Sequence, residues 1–225
     1  MKSPPCLRAA RPAALLGKRT PAAGFTLVEL LAVLAVLGIL AAVLVPVVGR
    51  AQESARRAQV RAQFVQWTVA VESFRAEYGY YPNFATATAG PPPVSCRVNE
   101  VPGLFVQTLS GRRADGGAAD LPRALAANPR RLPFLTFTAE ELGAGGPHPP
   151  LRDAFGNTDL VMLTDHDGDG VIVLPSPLPG VEAADSGRVL APPAALFPGG
   201  RVRGSVLFYS AGAGRASEDI VYSWR

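Results

Sequence analysis

The stretch AAGFTLVELLAVLAVLGILAAVLVPVVG, residues 22–49, is almost entirely apolar, yet it contains the carboxylate of Glu29. Nineteen residues without a charge run from Leu30 to Val48. With residues 25–29 added, a helix here is about 36 Å long, enough to cross a hydrocarbon core of about 30 Å. A secretory signal peptide has a much shorter apolar core, and a soluble core helix rarely stays uncharged for so long. The sequence therefore predicts a transmembrane helix over residues 25–48.

The positive charge of the chain is concentrated before this helix. Residues 1–24 hold five basic residues and no acid, whereas the remainder holds 17 arginines against 18 acids. The formal net charge of +4 is therefore no sign of a DNA-binding surface, and we expect no nucleic-acid partner. Four arginines follow the helix, so the bias of five against four favours a cytoplasmic N-terminus.

Glu29 lies near one end of the predicted span, where a carboxylate costs less than at mid-bilayer and a helix N-terminus favours an anion. One interpretation is an interfacial carboxylate that stays hydrated. A second requires a cut between Gly24 and Phe25, which places a new α-amino group one helical turn from Glu29. That amine can pair with Glu29 of the same chain or, in a bundle, with Glu29 of a neighbour and set the axial stagger.

The segment GFTLVE, residues 24–29, with a basic leader before it and an apolar run after it, resembles the N-terminal signature of type IV pilins and of type II secretion pseudopilins. The resemblance implies that prepilin peptidase removes residues 1–24, cutting after Gly24, and methylates the new N-terminal Phe25. It also assigns Glu29 and Pro46 to assembly, Pro46 as the family's helix-kinking proline. A proline there breaks one helical hydrogen bond, which neighbouring groups make tolerable.

Three later segments are similar to secretion pseudopilins: YGYYPN (78–83), LRDAFGN (151–157) and the ends of 206–224, VLFYSAGAG and EDIVYSW. The resemblance implies a structural subunit of a type II secretion pseudopilus in the bacterial inner membrane, with residues 81–225 as a periplasmic globular domain. Its partners are then copies of itself, other pseudopilins, prepilin peptidase and the inner-membrane secretion platform. The alternatives are a type IV pilus or DNA-uptake pilin, or a membrane-tethered calcium-binding recognition domain.

An enzyme is not expected from the residues present. Of the two histidines, His148 lies in the loop segment GGPHPP without the serine or cysteine and aspartate context of nucleophilic catalysis. His166 is expected to be exposed rather than a ligand. After loss of the leader only Cys96 remains, so an oxidised Cys96 requires a second chain as its partner.

An amphipathic helix is predicted to follow the membrane span, as a stalk over residues 49–80. Apolar side chains recur at spacings of four and three residues, and Gly79 and Pro82 then end the helix. The stripe consists of Val60, Phe64, Trp67, Val71, Phe74 and Tyr78. Residues 84–150 read as long loop, with a short helix within 101–111 and a short strand or an extended cover at 131–137.

Four late segments have the β-branched and aromatic content of strands. They are residues 159–163, 170–174, 203–210 and 219–224. The sequence therefore predicts an α+β, pilin-like architecture, in which one long helix packs on a small C-terminal antiparallel sheet with long loops.

The segment TDHDGDGV, residues 164–171, holds Asp165, Asp167 and Asp169 at alternating positions. This spacing is that of the first half of an EF-hand loop, which binds Ca²⁺, although Ser176 occupies the twelfth place. The alternative is a plain β-hairpin turn, since Asp-Gly is a strong hairpin signal, and the two interpretations are compatible. The pseudopilin resemblance implies a second Ca²⁺ site before the last strand, where residues 210–219 offer only Glu218 and Asp219.

Overall fold

The structure is a computed structural model that describes residues 26–86 and 93–224. The chain divides into two units, of which the first is described over residues 26–47 and the second begins at Val48. One helix, α1 (Leu27–Tyr78), supplies all the regular structure described in the first unit. It is long and apolar enough to cross a membrane.

The end of α1 is determined by a glycine, as the sequence predicts. Gly79 has a φ of 80°, a left-handed conformation that other residues adopt only at a cost. Its N–H group still donates to the carbonyl oxygen of Arg75 at 2.7 Å, so it satisfies one of the last helical carbonyls.

The second unit contains the remaining helices and strands, numbered here in chain order. The helices are α2 (Leu104–Ser110) and α3 (Pro122–Ala127). The strands are β1 (Ser95–Arg97), β2 (Val161–Thr164), β3 (Val171–Val173), β4 (Val181–Glu182), β5 (Val189–Leu190), β6 (Arg201–Arg203), β7 (Val206–Ser210) and β8 (Val221–Tyr222). The principal sheet has the order β1-β2-β7-β8 with every neighbouring pair antiparallel. The pairs β3–β6 and β4–β5 form two small sheets.

The apolar stripe of α1 packs against one face of the principal sheet, which confirms the predicted α+β architecture. Phe64 and Trp67 are fully buried, and their rings lie 5.8 and 5.6 Å from the ring of Phe208 in β7. Val60, Val71 and Phe74 of the same stripe are also fully buried, and Tyr78 packs at its end.

The opposite face of the principal sheet is buried as well. Alternate residues of β2 point to opposite sides: Met162 belongs to the core on the α1 side, whereas Val161 and Leu163 belong to a second core. In β7, Phe208 and Tyr209 divide in the same way. Every residue of the two central strands is therefore buried, because neither of their faces meets water.

The hairpin predicted around the Asp-Gly turn is wrong. β2 pairs with β1 and β7, while β3 pairs with β6 in a different sheet. Both edges of β2 are thus occupied, and the turn at 164–170 carries the chain from one sheet to another.

Two other predicted strands are shorter than expected. The segment 203–210 is divided into β6 and β7 at Gly204, whose φ is 151°. The segment 219–224 retains only the two residues of β8, since Ser217–Asp219 forms a 3₁₀ turn.

Residues 84–150 contain more regular structure than the sequence predicts. α2 was expected within 101–111, whereas β1 and α3 were not, because three to six residues give too little pattern to recognise. Of the two forms predicted for 131–137, the extended cover is observed: the N–H groups of Phe134 and Leu135 donate to the carbonyl oxygen of Leu109.

A buried carboxylate joins the segment 151–157 to β7. Asp153 is 3 % exposed and accepts hydrogen bonds from the backbone N–H groups of Phe155 and Asn157, the Asn157 amide and the Ser210 hydroxyl, at 2.7–2.9 Å. Asn157 extends the connection by donating to the carbonyl oxygen of Gly212. Burial raises the pKa of the Asp153 carboxyl, although its hydrogen bonds with Asn157 and Ser210 act in the opposite direction.

We expect Asp153→Ala to lower the free energy of unfolding by about 2–5 kcal/mol, because each buried donor left without an acceptor costs about 1–3 kcal/mol. The substitution also removes the Asp153 carboxylate, whose burial away from water is itself unfavourable, and this offsets part of that cost. Urea denaturation of the detergent-solubilised chain measures the change, with Asp185→Ala at an exposed position as the matched control. Equal stability of the two variants would show that the Asp153 hydrogen bonds contribute nothing net.

Candidate functional sites

The first candidate site is the start of α1. The backbone N–H of Glu29 donates to the hydroxyl of Thr26 at 3.2 Å and lies 3.1 Å from the Thr26 carbonyl oxygen. Thr26 therefore caps the helix, and Glu29 is the acidic residue of the first turn. The spacing Thr-x-x-Glu is a capping-box signal that was available in the sequence but not used there.

The side chain of Glu29 is exposed within the described part of the chain. The residues predicted for cleavage and methylation, Gly24 and Phe25, lie outside the described residues, so the structure contains no geometry for a pairing of Glu29 with an α-amino group. Pro46 lies inside α1, which continues through it to Tyr78.

The large apolar side chains described in the first part of α1 are exposed, from Val33 at 47 % to Leu27 at 77 %. An exposed apolar surface of this length is rare on soluble monomers and marks a membrane or protein contact. The apolar helix therefore supports anchoring in a membrane.

The second candidate site is the aspartate turn between β2 and β3. Asp165 is 2 % exposed, and its two carboxylate oxygens accept the N–H groups of Gly168 and Gly170, each at 2.8 Å. Asp169 accepts the N–H of Val171 at 2.7 Å. Asp167 and Asp169 are exposed. Asp165 thus shapes the turn, whereas the other two carboxylates face solvent.

The three carboxylates are close enough together to share one cation. Each offers an oxygen within 4.8 Å of the others, and oxygens bound to one Ca²⁺ ion lie at most about 5 Å apart. Burial acts to raise the pKa of Asp165, but the hydrogen bonds from Gly170 and Gly168 and the positive charge of Arg75 outweigh it and hold that pKa below its usual value. Asp165 is therefore ionised at neutral pH, as a metal ligand must be.

The third candidate site is the loop between β7 and β8. Glu218 is exposed, and Asp219 forms ion pairs with Arg57 and Arg215. In the described ranges 26–86 and 93–224, only the aspartate turn brings three potential metal ligands together.

Cys96 lies in β1 and is buried. Burial raises the pKa of its thiol to about 12, so the group is protonated at neutral pH and has little of the thiolate character needed for disulfide exchange. This does not favour a bond from Cys96 to another chain.

Comparison with known proteins bears on the first of these sites. Residues 19–45 match the family described as the prokaryotic N-terminal methylation motif, and the match includes Gly24, Phe25 and Glu29. No curated protein and no solved structure matches the chain. The match covers the N-terminal signal alone: it indicates a type IV pilin-like prepilin signal, of the kind that prepilin peptidase processes, and it extends into the apolar helix that can cross a membrane.

Proposed function

We propose that this chain is a subunit of a type II secretion pseudopilus, which assembles through its N-terminal helix and supports protein export. The observation that carries the proposal is the division of α1 into two parts. Its first part lies within the match to the methylation motif and exposes apolar side chains, whereas its second part buries Phe64 and Trp67 against a sheet. Such a helix has one surface for membrane and neighbouring subunits and another for its own domain.

Two of the segments that resemble secretion pseudopilins support the choice of secretion over a pilus. LRDAFGN supplies Asp153 and Asn157, which hold the loop after β7, and the segment 206–224 supplies β7 and β8. On this proposal the mature chain is anchored in the bacterial inner membrane with its globular domain in the periplasm. Its partners are further copies, other pseudopilins and the secretion platform.

The experiment that tests the proposal combines mass spectrometry with gene deletion. The mature protein is expected to begin with N-methylated Phe25 and to be recovered in sheared or cross-linked filaments. Deletion of the gene is expected to deplete the exported proteins in the medium without loss of surface pili or DNA uptake. Loss of pili or of transformation instead would support the pilin alternative. A processed chain that stays monomeric would support the tethered recognition domain.

We also propose that the aspartate turn binds Ca²⁺. The support is the mutual proximity of the Asp165, Asp167 and Asp169 carboxylates, together with the repulsion that three negative charges in one turn create without a cation. Calcium accepts flexible oxygen ligation, whereas Mg²⁺ demands stricter octahedral geometry and holds its water tightly.

We expect millimolar Ca²⁺ to raise the melting temperature of the detergent-solubilised chain above its value in chelator. A ligand at about 100 times its Kd stabilises the folded state by about 2.7 kcal/mol. The double substitution Asp167→Asn with Asp169→Asn is expected to remove most of the effect, and Mg²⁺ to reproduce little of it. Asp165 is left intact because it holds the N–H groups of Gly168 and Gly170 with or without a cation.

Glu218→Gln is the control for the other proposed loop and is expected to leave the calcium effect unchanged. A calcium effect that survives in the Asp167/Asp169 variant would place the cation elsewhere. A chain with no calcium dependence at all would leave the turn as a connection held by hydrogen bonds.

A further inference from the structure

The loop between β7 and β8 is the place where resemblance to secretion pseudopilins implies a calcium ion. Here it contains two acidic side chains, Glu218 and Asp219. Glu218 is exposed, and no hydrogen bond or ion pair joins it to the other residues that the structure describes. The fit of a cation therefore depends on Asp219.

Asp219 belongs to a closed ring of four charges. The Arg57 guanidinium pairs with Asp219 at 2.5 Å and with Glu53 at 3.0 Å. Arg215 in turn pairs with the other oxygen of Glu53 and lies 3.7 Å from Asp219. Positive and negative groups alternate around this ring, and its net charge is zero.

The oxygens of Asp219 are already engaged. Oδ1 accepts from Arg57, and Oδ2 accepts the backbone N–H groups of Arg215 at 3.0 Å and Ala216 at 3.2 Å. A divalent cation at this carboxylate would meet the Arg57 and Arg215 guanidinium groups, whose two positive charges already balance those of Asp219 and Glu53. The residues of the loop thus do not fit the implied metal.

We infer that this ring of ion pairs, and not a divalent cation, fastens the β7–β8 loop to α1. Glu53 lies 162 residues before Arg215, and Arg57 lies 162 residues before Asp219. The ring therefore connects the loop to a single turn of α1 that is distant from it in the sequence. The Arg215 side chain is 66 % exposed, so dissolved salt weakens its ion pairs with Glu53 and Asp219. The loop is therefore held less firmly at high ionic strength, whereas calcium has no effect on it.

The ion pairs of the ring are expected to weaken at acidic pH. Hydrogen bonds from Arg215 and Arg57 hold the pKa of Glu53 below its ordinary value of 4.5. A carboxyl with a lowered pKa stabilises the folded form above its ordinary pKa and loses that effect as the pH falls through its lowered value. The loop is therefore expected to stay fastened at neutral pH and to loosen only below pH 4.5.

Hydrogen exchange of the full chain in detergent tests the inference on the peptide that covers residues 211–220. The measurements use the Asp167→Asn, Asp169→Asn background, so that calcium cannot act through the aspartate turn. In that background we expect the same exchange rates in Ca²⁺ and in chelator. Exchange is expected to accelerate between about 0.05 M and about 1 M NaCl, where the screening length falls to about 3 Å.

Arg57→Gln is expected to accelerate exchange of this peptide about tenfold, because hydrogen bonds to charged groups are among the stronger ones. Arg56→Gln is the matched control: Arg56 is the adjacent arginine, is exposed, and has no ion pair with the residues described in the structure. Glu53→Gln changes neither helix propensity nor size greatly and is expected to act in the same direction as Arg57→Gln.

Two results would overturn the inference. One is slower exchange in Ca²⁺ that Glu218→Gln abolishes, which would make the loop a metal site. The other is equal exchange in the Arg57→Gln and Arg56→Gln variants. Neither result depends on whether the chain forms a secretion pseudopilus. The experiment can therefore contradict the inference about the ion pairs without contradicting the proposed function.

Discussion

Gly24→Val is expected to leave the whole population of the chain uncleaved, with the 24-residue leader still attached. Residues 19–45 match the methylation motif, and on the proposed function cleavage follows Gly24. A peptidase acting at a membrane surface must bring the backbone of Gly24 close to its catalytic groups, and a branched side chain obstructs that approach. Immunoblots of membrane fractions detect the precursor by its greater mass.

The matched control is Gly38→Val, the same substitution further along the apolar run. A Cβ atom at Gly38 meets no other atom within 4 Å in the described chain, so this change adds an apolar side chain without a clash. Gly38→Val is expected to mature normally and to insert into the membrane. Normal maturation of Gly24→Val would contradict the proposed cleavage site.

Glu29→Gln is expected to abolish assembly while cleavage, methylation and membrane insertion continue. On the proposed function, the Glu29 carboxylate pairs with the α-amino group of Phe25 in a neighbouring subunit. Loss of one partner from a buried ion pair costs about 3–5 kcal/mol, which corresponds to more than about a hundredfold in association. Cross-linking of membrane-embedded protein, followed by blotting for ladders, measures the loss.

Substitutions of Thr26 serve as controls, because they distinguish the effect of the Glu29 charge from the effect of the helix cap that Thr26 provides. Thr26→Ser retains the hydroxyl that accepts the Glu29 N–H, whereas Thr26→Ala removes it. We expect Thr26→Ser to assemble normally and Thr26→Ala to assemble with a smaller defect than Glu29→Gln. Wild-type ladders in Glu29→Gln would show that charge pairing does not drive assembly.

The helix α1 and its two surfaces were predictable because their signals are local. A run of nineteen uncharged residues indicates a membrane helix, and apolar residues at spacings of four and three indicate a buried stripe, whatever the rest of the chain does. Gly79 ends the helix through its own backbone freedom. Each of these properties depends on residues within a few turns of one another.

Strand composition was also predictable, but strand partners were not. The residues of β2 and β3 have the expected β-branched content, yet the hairpin expected between them does not form. An Asp-Gly turn favours a hairpin, but it does not by itself fix the partner of the strand that follows. The choice follows from β1 and from β7, more than 40 residues later, which together occupy both edges of β2 and leave none for β3.

The sequence by itself determined the methylation motif, the apolar anchor, the amphipathic stalk and the α+β class, because periodicity and short motifs are encoded by near neighbours. Tertiary structure alone decided which charges meet. The sequence places Asp219 in a loop with one other acid, and only folding brings it to Arg57 on α1. Likewise, only folding buries Asp153 against Ser210. Contacts between distant residues depend on the path that the chain between them takes when it folds, and local sequence patterns do not specify that path.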